Sequence, residues 1–262
     1  MTTDVVDGRR GSRNRLDRSG VWRFREWVLP LDEKNMVTRG EGNTHIYGSA
    51  SVAQYVGLDA VGLKHEGENP SGSFKDRGMT TGISIAKTLG MTRVAVASTG
   101  NTSASVASYA ALAGMEAIVF IPDGKIAFGK LGQTIAYGAK TVQIEGDFDD
   151  AMRLVEAMCS EEDVYLLNSV NPYRIEGQKA IGLEILEQLG YRRIALKSDQ
   201  EPSIMALKRH LQGRWCGEAT LEDSVAYDPQ SNGAVEKAVR MVKDQVRTMK
   251  SALEASTTLD LR

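Results

Sequence analysis

The chain has 262 residues, 42% of them hydrophobic and 25% charged, with a formal net charge of -2. That suits one large domain or two ordinary ones with a sizeable core, and it argues against a strongly basic nucleic-acid binder. Cys159 and Cys216 make no disulfide framework and have no metal-ligand spacing, as expected in a reducing compartment, and no apolar run approaches the roughly 20 residues needed to cross a bilayer.

Residues 1–19 are polar and arginine-rich, without the apolar centre of a secretory signal, so a disordered tail is expected. Asp4, Asp7 and Asp17 count against a transit peptide. Residues 21–31 mix Trp22, Phe24 and Trp27 with charge and reach Pro30, which predicts a short packed helix. GEGNT at 40–44 is a turn, and AVGLK at 60–64 reads as a strand entering the segment NPSGSFKDRGM at 69–79. Met79, Ile83 and Ala86 have helical spacing within 76–89, and Gly90 stops that helix. RVAVA at 93–97 is a buried strand, and 102–113 is an alanine-rich helix closed by Gly114. Strands at 116–121, 141–144 and 164–167 then alternate with helices at 128–137, 148–159 and 172–189. This alternation predicts an α/β domain, a parallel sheet with covering helices. Pockets in such sheets open beyond the carboxyl ends of the strands, where the loops after Lys64 and Ala97 are expected to lie.

Lys75 opens the helix at 76–89, beside Phe74 and Arg77 and after Gly72. A lysine that attacks an aldehyde must be neutral, whereas a free one titrates near ~10.4. Burial and neighbouring cations lower that value. The plain alternative is a solvated lysine on a helix's first turn. STGNTSAS at 98–105 leaves a strand and opens a helix whose unpaired N–H groups attract carboxylate or phosphate. Ser98, Thr99, Asn101 and Thr102 add side-chain donors and acceptors there, although Ser, Thr and Asn are also what ordinary helix caps prefer. NSVNPYRIEGQK at 168–179 also follows a strand, and its Arg174 suits bidentate phosphate binding. Lys125 and Lys130, in GKIAFGK at 124–130, are expected on the surface, with a rim for an anionic substrate as the alternative.

These stretches, with YGAK at 137–140 and GDFDD at 146–150, occur in one order over residues 20–190 and together resemble threonine synthase, of the tryptophan synthase β-like family. His45 stands where that family has proline. The resemblance implies a fold type II enzyme that uses pyridoxal 5′-phosphate (PLP) to convert O-phosphohomoserine and water to L-threonine and phosphate. It implies that Lys75 holds PLP as a Schiff base and shuttles protons, that Phe74 lies at the cofactor, and that Asn101 donates to the cofactor's 3′-oxygen. Ser98, Thr99 and Thr102 would receive the substrate carboxylate and part of its phosphate, and Asn168, Ser169 and Arg174 the rest of the phosphate.

After Gly190 the resemblance stops. The family continues with a glycine–asparagine loop for the PLP phosphate, whereas here RRIALKSDQEPSIMALKRH follows, which makes a truncated fold and an impaired activity the expectation. Residues 191–262 are instead similar to the integrase core of retroviruses and LTR retrotransposons, a partial RNase H-like fragment. LKSDQEP at 196–202 and AYDPQSNGAVEKAV at 226–239 carry the likeness. Asp199 and Glu236, 37 positions apart, match two of its three metal-binding carboxylates, and no upstream aspartate supplies the third. Two surface carboxylates are the plainer reading, and no metal site is expected. The sequence thus implies a tail (1–19), a truncated PLP-binding region (20–190) and an integrase-like fragment (191–262). The expected setting is cytoplasmic, with a plastid left open. The partner is a small molecule rather than nucleic acid or membrane, and a homodimer is an open assembly. The rival readings are a nucleic-acid-binding retroelement fragment and an inactive chimeric remnant.

Overall fold

The computed structural model describes residues 8–123, 128–190, 193–198 and 217–223, with isolated positions between 205 and 248. In chain order the elements are α1 (Arg25–Val28), β1 (Ile46–Gly48), α2 (Ala50–Val56), β2 (Gly62–Lys64), α3 (Lys75–Thr88), β3 (Arg93–Ala97), α4 (Asn101–Ala113), β4 (Glu116–Pro122) and α5 (Phe128–Ala136). There follow β5 (Lys140–Ile144), α6 (Phe148–Glu161), β6 (Tyr165–Leu166), α7 (Pro172–Gln178), α8 (Ala180–Leu189), β7 (Arg193–Ser198) and β8 (Glu218–Asp223). Two compact units result, one of residues 1–45 with 65–190, the other of 46–64 with 191–262.

The first unit is built on a four-stranded parallel sheet in the order β5-β4-β3-β6. Alternation along β3 assigns its two faces. Val94 and Val96 pack with Met79, Ile83, Val106 and Tyr109 from α3 and α4, while Ala95 and Ala97 pack with Ala151 and Val155 of α6. Burying both faces explains why RVAVA is apolar throughout.

α3 is buried from Asp76 to Ala86, although it is rich in Thr, Ser and Gly. Its hydroxyls are satisfied inside the fold. Thr80 Oγ1 accepts from the Trp22 indole at 2.8 Å, and Ser84 Oγ accepts from Val37 N at 2.9 Å. Against α7 the helix presents glycine: a Cβ at Gly78 would lie 2.7 Å from Arg174 O, and one at Gly82 3.4 Å from Arg174 Cγ and 2.7 Å from Leu167 Cδ2, just after β6. Gly177 answers from α7, where a Cβ would lie 1.9 Å from Arg77 O.

Four expectations are corrected. Residues 8–19 are packed rather than a disordered tail: Leu16 is buried, and Arg9 pairs with Glu26 and Asp17. β2 is not a strand of the parallel sheet. It pairs antiparallel with β1 in the second unit, because the 46–64 stretch closes on itself as a small β-α-β hairpin. Of the two loops after Lys64 and Ala97, the Ala97 loop alone therefore sits at a carboxyl end of the main sheet, and the loop after β6 sits at the same end. The helix expected over 172–189 is two, α7 and α8, divided at Lys179 where Gly182 N bonds three residues back to Lys179 O.

In the second unit β7 pairs with β8 in parallel, Arg193 opposite Glu218. Asp199 and Glu236 lie outside the described residues.

Candidate active site

The lysine loop is held at both ends. Gly72 N bonds Asn69 O at 2.7 Å, closing a turn that leaves Gly72 at φ +83°, a conformation an L side chain resists. Past the turn, the buried Asp76 carboxylate reaches back to take Ser71 N at 2.6 Å and Ser71 Oγ at 2.5 Å. Between these fixed points Ser73 and Phe74 deliver Lys75 as the first residue of α3. The Lys75 side chain is half-buried, with Nζ 4.4 Å from the centre of the Phe74 ring. Burial lowers its pKa below the ordinary lysine value, and the Arg174 guanidinium lowers it further.

The second loop meets the first through one hydrogen bond. Asn101 opens α4, and Ser105, one turn on and on the same face, donates to Asp76 Oδ1 at 2.5 Å. This bond sets the first turns of α3 and α4 side by side, so Lys75 and Asn101 occupy adjacent helix ends. No side chain caps α4, whose first N–H groups follow Gly100. Asn101 is exposed, and Ser98, Thr99 and Thr102 are half-buried around that end. Ser98 Oγ accepts from Gly100 N at 3.3 Å.

The third stretch arrives from the end of β6. Asn168 gives both ends of its amide to Ala97, accepting from its N–H at 3.0 Å and donating to its carbonyl at 3.1 Å. The side chain thus continues the β3–β6 pairing past the strand end and fixes where Ser98 begins. Used in this way, it holds the loop with its oxygen and one amide N–H, and the second N–H of the amide is not engaged by Ala97. Ser169 beside it is exposed.

Arg174 is 2% exposed and finds one acceptor, Leu167 O at 2.9 Å from Nη1, while its buried Nε has none. Burial brings its pKa down to about 10. Among the described residues no carboxylate pairs with it, and the glycine seam between α3 and α7 places it near Lys75. A buried guanidinium with an unused donor and no counter-charge calls for an anion. Together with an amine of lowered pKa and an uncapped helix end, it suits a ligand with a carbonyl carbon and anionic groups.

Lys130, expected on the surface, is half-buried: its Nζ donates to Ser71 O at 2.9 Å and to Gln133 Oε1 at 3.3 Å. Lys125 lies outside the described residues. The sequence alone assigns no role to Asp76 and Ser105, which join the two loops. The only signal for them was their place inside the two motifs.

The profile of the pyridoxal-phosphate dependent enzyme family matches residues 37–199. Among curated proteins, threonine synthase of Methanosarcina acetivorans is 50% identical over 190 residues, which is 71% of this chain and 46% of that protein. Threonine synthase of Bacillus sp. (strain ULM1) is 43% identical over 225 residues, 83% of this chain and 61% of that protein. The chain thus spans about half the length of the curated relatives it matches. Among solved structures, threonine deaminase isoform 2 from Solanum lycopersicum superposes with a TM-score of 0.59 at 18% identity, covering 78% of this chain and 55% of that one, a likeness of fold.

Proposed function

The chain belongs to the family of pyridoxal-phosphate dependent enzymes, and on that premise we propose that residues 20–190 carry part of a threonine synthase-like site for O-phosphohomoserine. The observation that carries this reading is the unneutralised Arg174 guanidinium beside the Lys75 amine. PLP, when bound, supplies an electron sink for the carbons next to the substrate nitrogen. Lys75 would hold the cofactor by its aldehyde carbon and would move protons between substrate carbons, with Phe74 beside it. Asn101 would donate to the ring's 3′-oxygen. Ser98, Thr99 and the uncapped start of α4 receive the substrate carboxylate, with Thr102 near its phosphate. Arg174 and Ser169 stabilise the phosphate as it departs with the electrons of its C–O bond, while Asn168 fixes the Ala97 end of the loop.

Residues 191–262 contain no glycine–asparagine loop of the kind the resemblance assigns to the cofactor phosphate. We therefore expect the 262-residue chain by itself to bind PLP weakly and turn over slowly. With O-phosphohomoserine and excess PLP, it should release phosphate and threonine in equal amounts, and Lys75→Ala should abolish both. Phosphate release that survives Lys75→Ala, or that yields no threonine, would contradict the proposal.

The integrase likeness of residues 191–262 rests on the sequence stretches at 196–202 and 226–239, and its two carboxylate positions lie outside the described residues. Nucleic acid is not expected as a partner, and a homodimer stays an open assembly. Among the described residues no helix is long and apolar enough to cross a membrane.

A further inference from the structure

We infer that Lys130 is a positioning residue for Lys75: from α5 it holds the lysine loop by the carbonyl of Ser71 and so sets where the reactive amine stands. This rests on the reading of Lys75 as the amine that takes the aldehyde.

Ser71 is the loop residue whose polar groups are all committed. Its N–H and hydroxyl go to Asp76, which belongs to α3 itself and moves with Lys75. Its carbonyl goes to Lys130 Nζ at 2.9 Å, 59 residues away in sequence and on another helix. The Asp76 bonds tie the loop to its own helix, whereas the Lys130 bond ties it to a separate element. The next residue, Gly72, is the loop's flexible joint at φ +83°, and Lys130 Nζ lies 3.6 Å from where its Cβ would be. An ammonium set over that joint fixes the 71–72 peptide and, three residues on, the start of Lys75.

Lys130 finds only neutral acceptors, the Ser71 carbonyl and Gln133 Oε1 at 3.3 Å, and no carboxylate among the described residues. A lysine serving stability alone is usually paired or fully solvated. Here the charge is spent on a carbonyl, which makes a charge-assisted bond of the stronger sort. Releasing it would let Lys75 swing outward and regain water, which removes the burial that lowers its pKa.

The experiment is borohydride trapping of PLP on the full chain, with the modified lysines mapped by mass spectrometry at several pH values. Lys130→Met should cut the label on Lys75 by about tenfold, the size of one hydrogen bond to a charged group. It should also shift the labelling profile of Lys75 toward higher pH, while label on the exposed Lys34 stays unchanged. Lys130→Arg, which keeps a cationic donor, should restore both amount and profile. A role in stability alone would lower the melting temperature without moving the pH profile. If Lys130→Met fails to fold, Lys130→Gln is read in its place and should show the same upward shift. Unchanged label and profile in a folded Lys130→Met or Lys130→Gln protein overturns the inference. Absence of label on Lys75 in the unsubstituted chain overturns the underlying reading and the inference with it.

Discussion

Arg77→Met is expected to lower the free energy of unfolding by about 3–5 kcal/mol, the cost of breaking a buried ion pair on one side. The Arg77 guanidinium is fully buried and bridges two acids. It makes two bonds to Glu66, at 2.7 and 2.8 Å, and one to Glu184 at 2.7 Å. Glu184 is itself fully buried and accepts from Asn43 N at 2.6 Å, so one side chain joins α3, α8 and the GEGNT turn. Methionine fills similar space and leaves both carboxylates without their cation. Urea denaturation should show a lower midpoint at unchanged slope. Arg77→Lys should recover only part, because a single ammonium cannot bridge the two acids in the planar geometry of a guanidinium.

The same cluster sets a pH dependence. Burial pushes the Glu66 pKa up most strongly of any single cause, but the hydrogen bonds and charge of Arg77, with hydrogen bonds from Thr44 and Asn69, together outweigh it and leave the group below its ordinary value of 4.5. A depressed carboxylate contributes stability that is full above the unfolded value and fades as pH falls through the folded one. The unsubstituted protein should therefore lose this contribution below about pH 4.5, and the loss should be absent in Arg77→Met.

Gly177→Ala is the other large effect. In a helix interior, alanine for glycine ordinarily gains about 0.5–1 kcal/mol. Here the new methyl would sit 1.9 Å from Arg77 O and 2.6 Å from Thr81 Oγ1, and the first of these is backbone that cannot step aside. Overpacking of this kind costs about 3 kcal/mol, so the sign reverses. Gly132→Ala in α5 is the control: nothing lies within 4 Å of its Cβ, so it should stabilise slightly. If Gly177→Ala were neutral, α3 and α7 would not be packed through their glycines. Arg174 is carried on α7 three residues earlier, so the substitution should also displace it from Lys75.

The sequence made the alternation of strands and helices legible because each element carries its own signal. β3 is apolar on both faces, α3 repeats Met79, Ile83 and Ala86, and Gly90 and Gly114 mark where helices stop. The two motifs around Lys75 and Asn101 could be read as loops at helix starts for the same local reason. What could not be read depends on residues distant in sequence. Nothing near Lys130 reveals that its amine finds Ser71, and nothing near Asn168 reveals that its amide bonds Ala97. The partner of β2 was likewise invisible, since three residues pair antiparallel as readily as parallel once the chain turns back through α2. Residues 8–19 look like a tail by composition, yet Arg9 pairs with Asp17 and Glu26 and Arg10 with Glu187, the last two being acids that only the fold brings close.

The central claim is that Lys75 is the reactive amine of this fold, and its most direct measurement is the map of lysines fixed by borohydride after incubation with PLP near neutral pH. Lys75 should carry most of the label, and its labelling should rise at lower pH than that of exposed lysines such as Lys34, because its pKa is depressed. In Lys75→Ala that label should vanish without moving elsewhere. Label spread over the exposed lysines in proportion to their number, or kept in full by Lys75→Ala, would contradict the account.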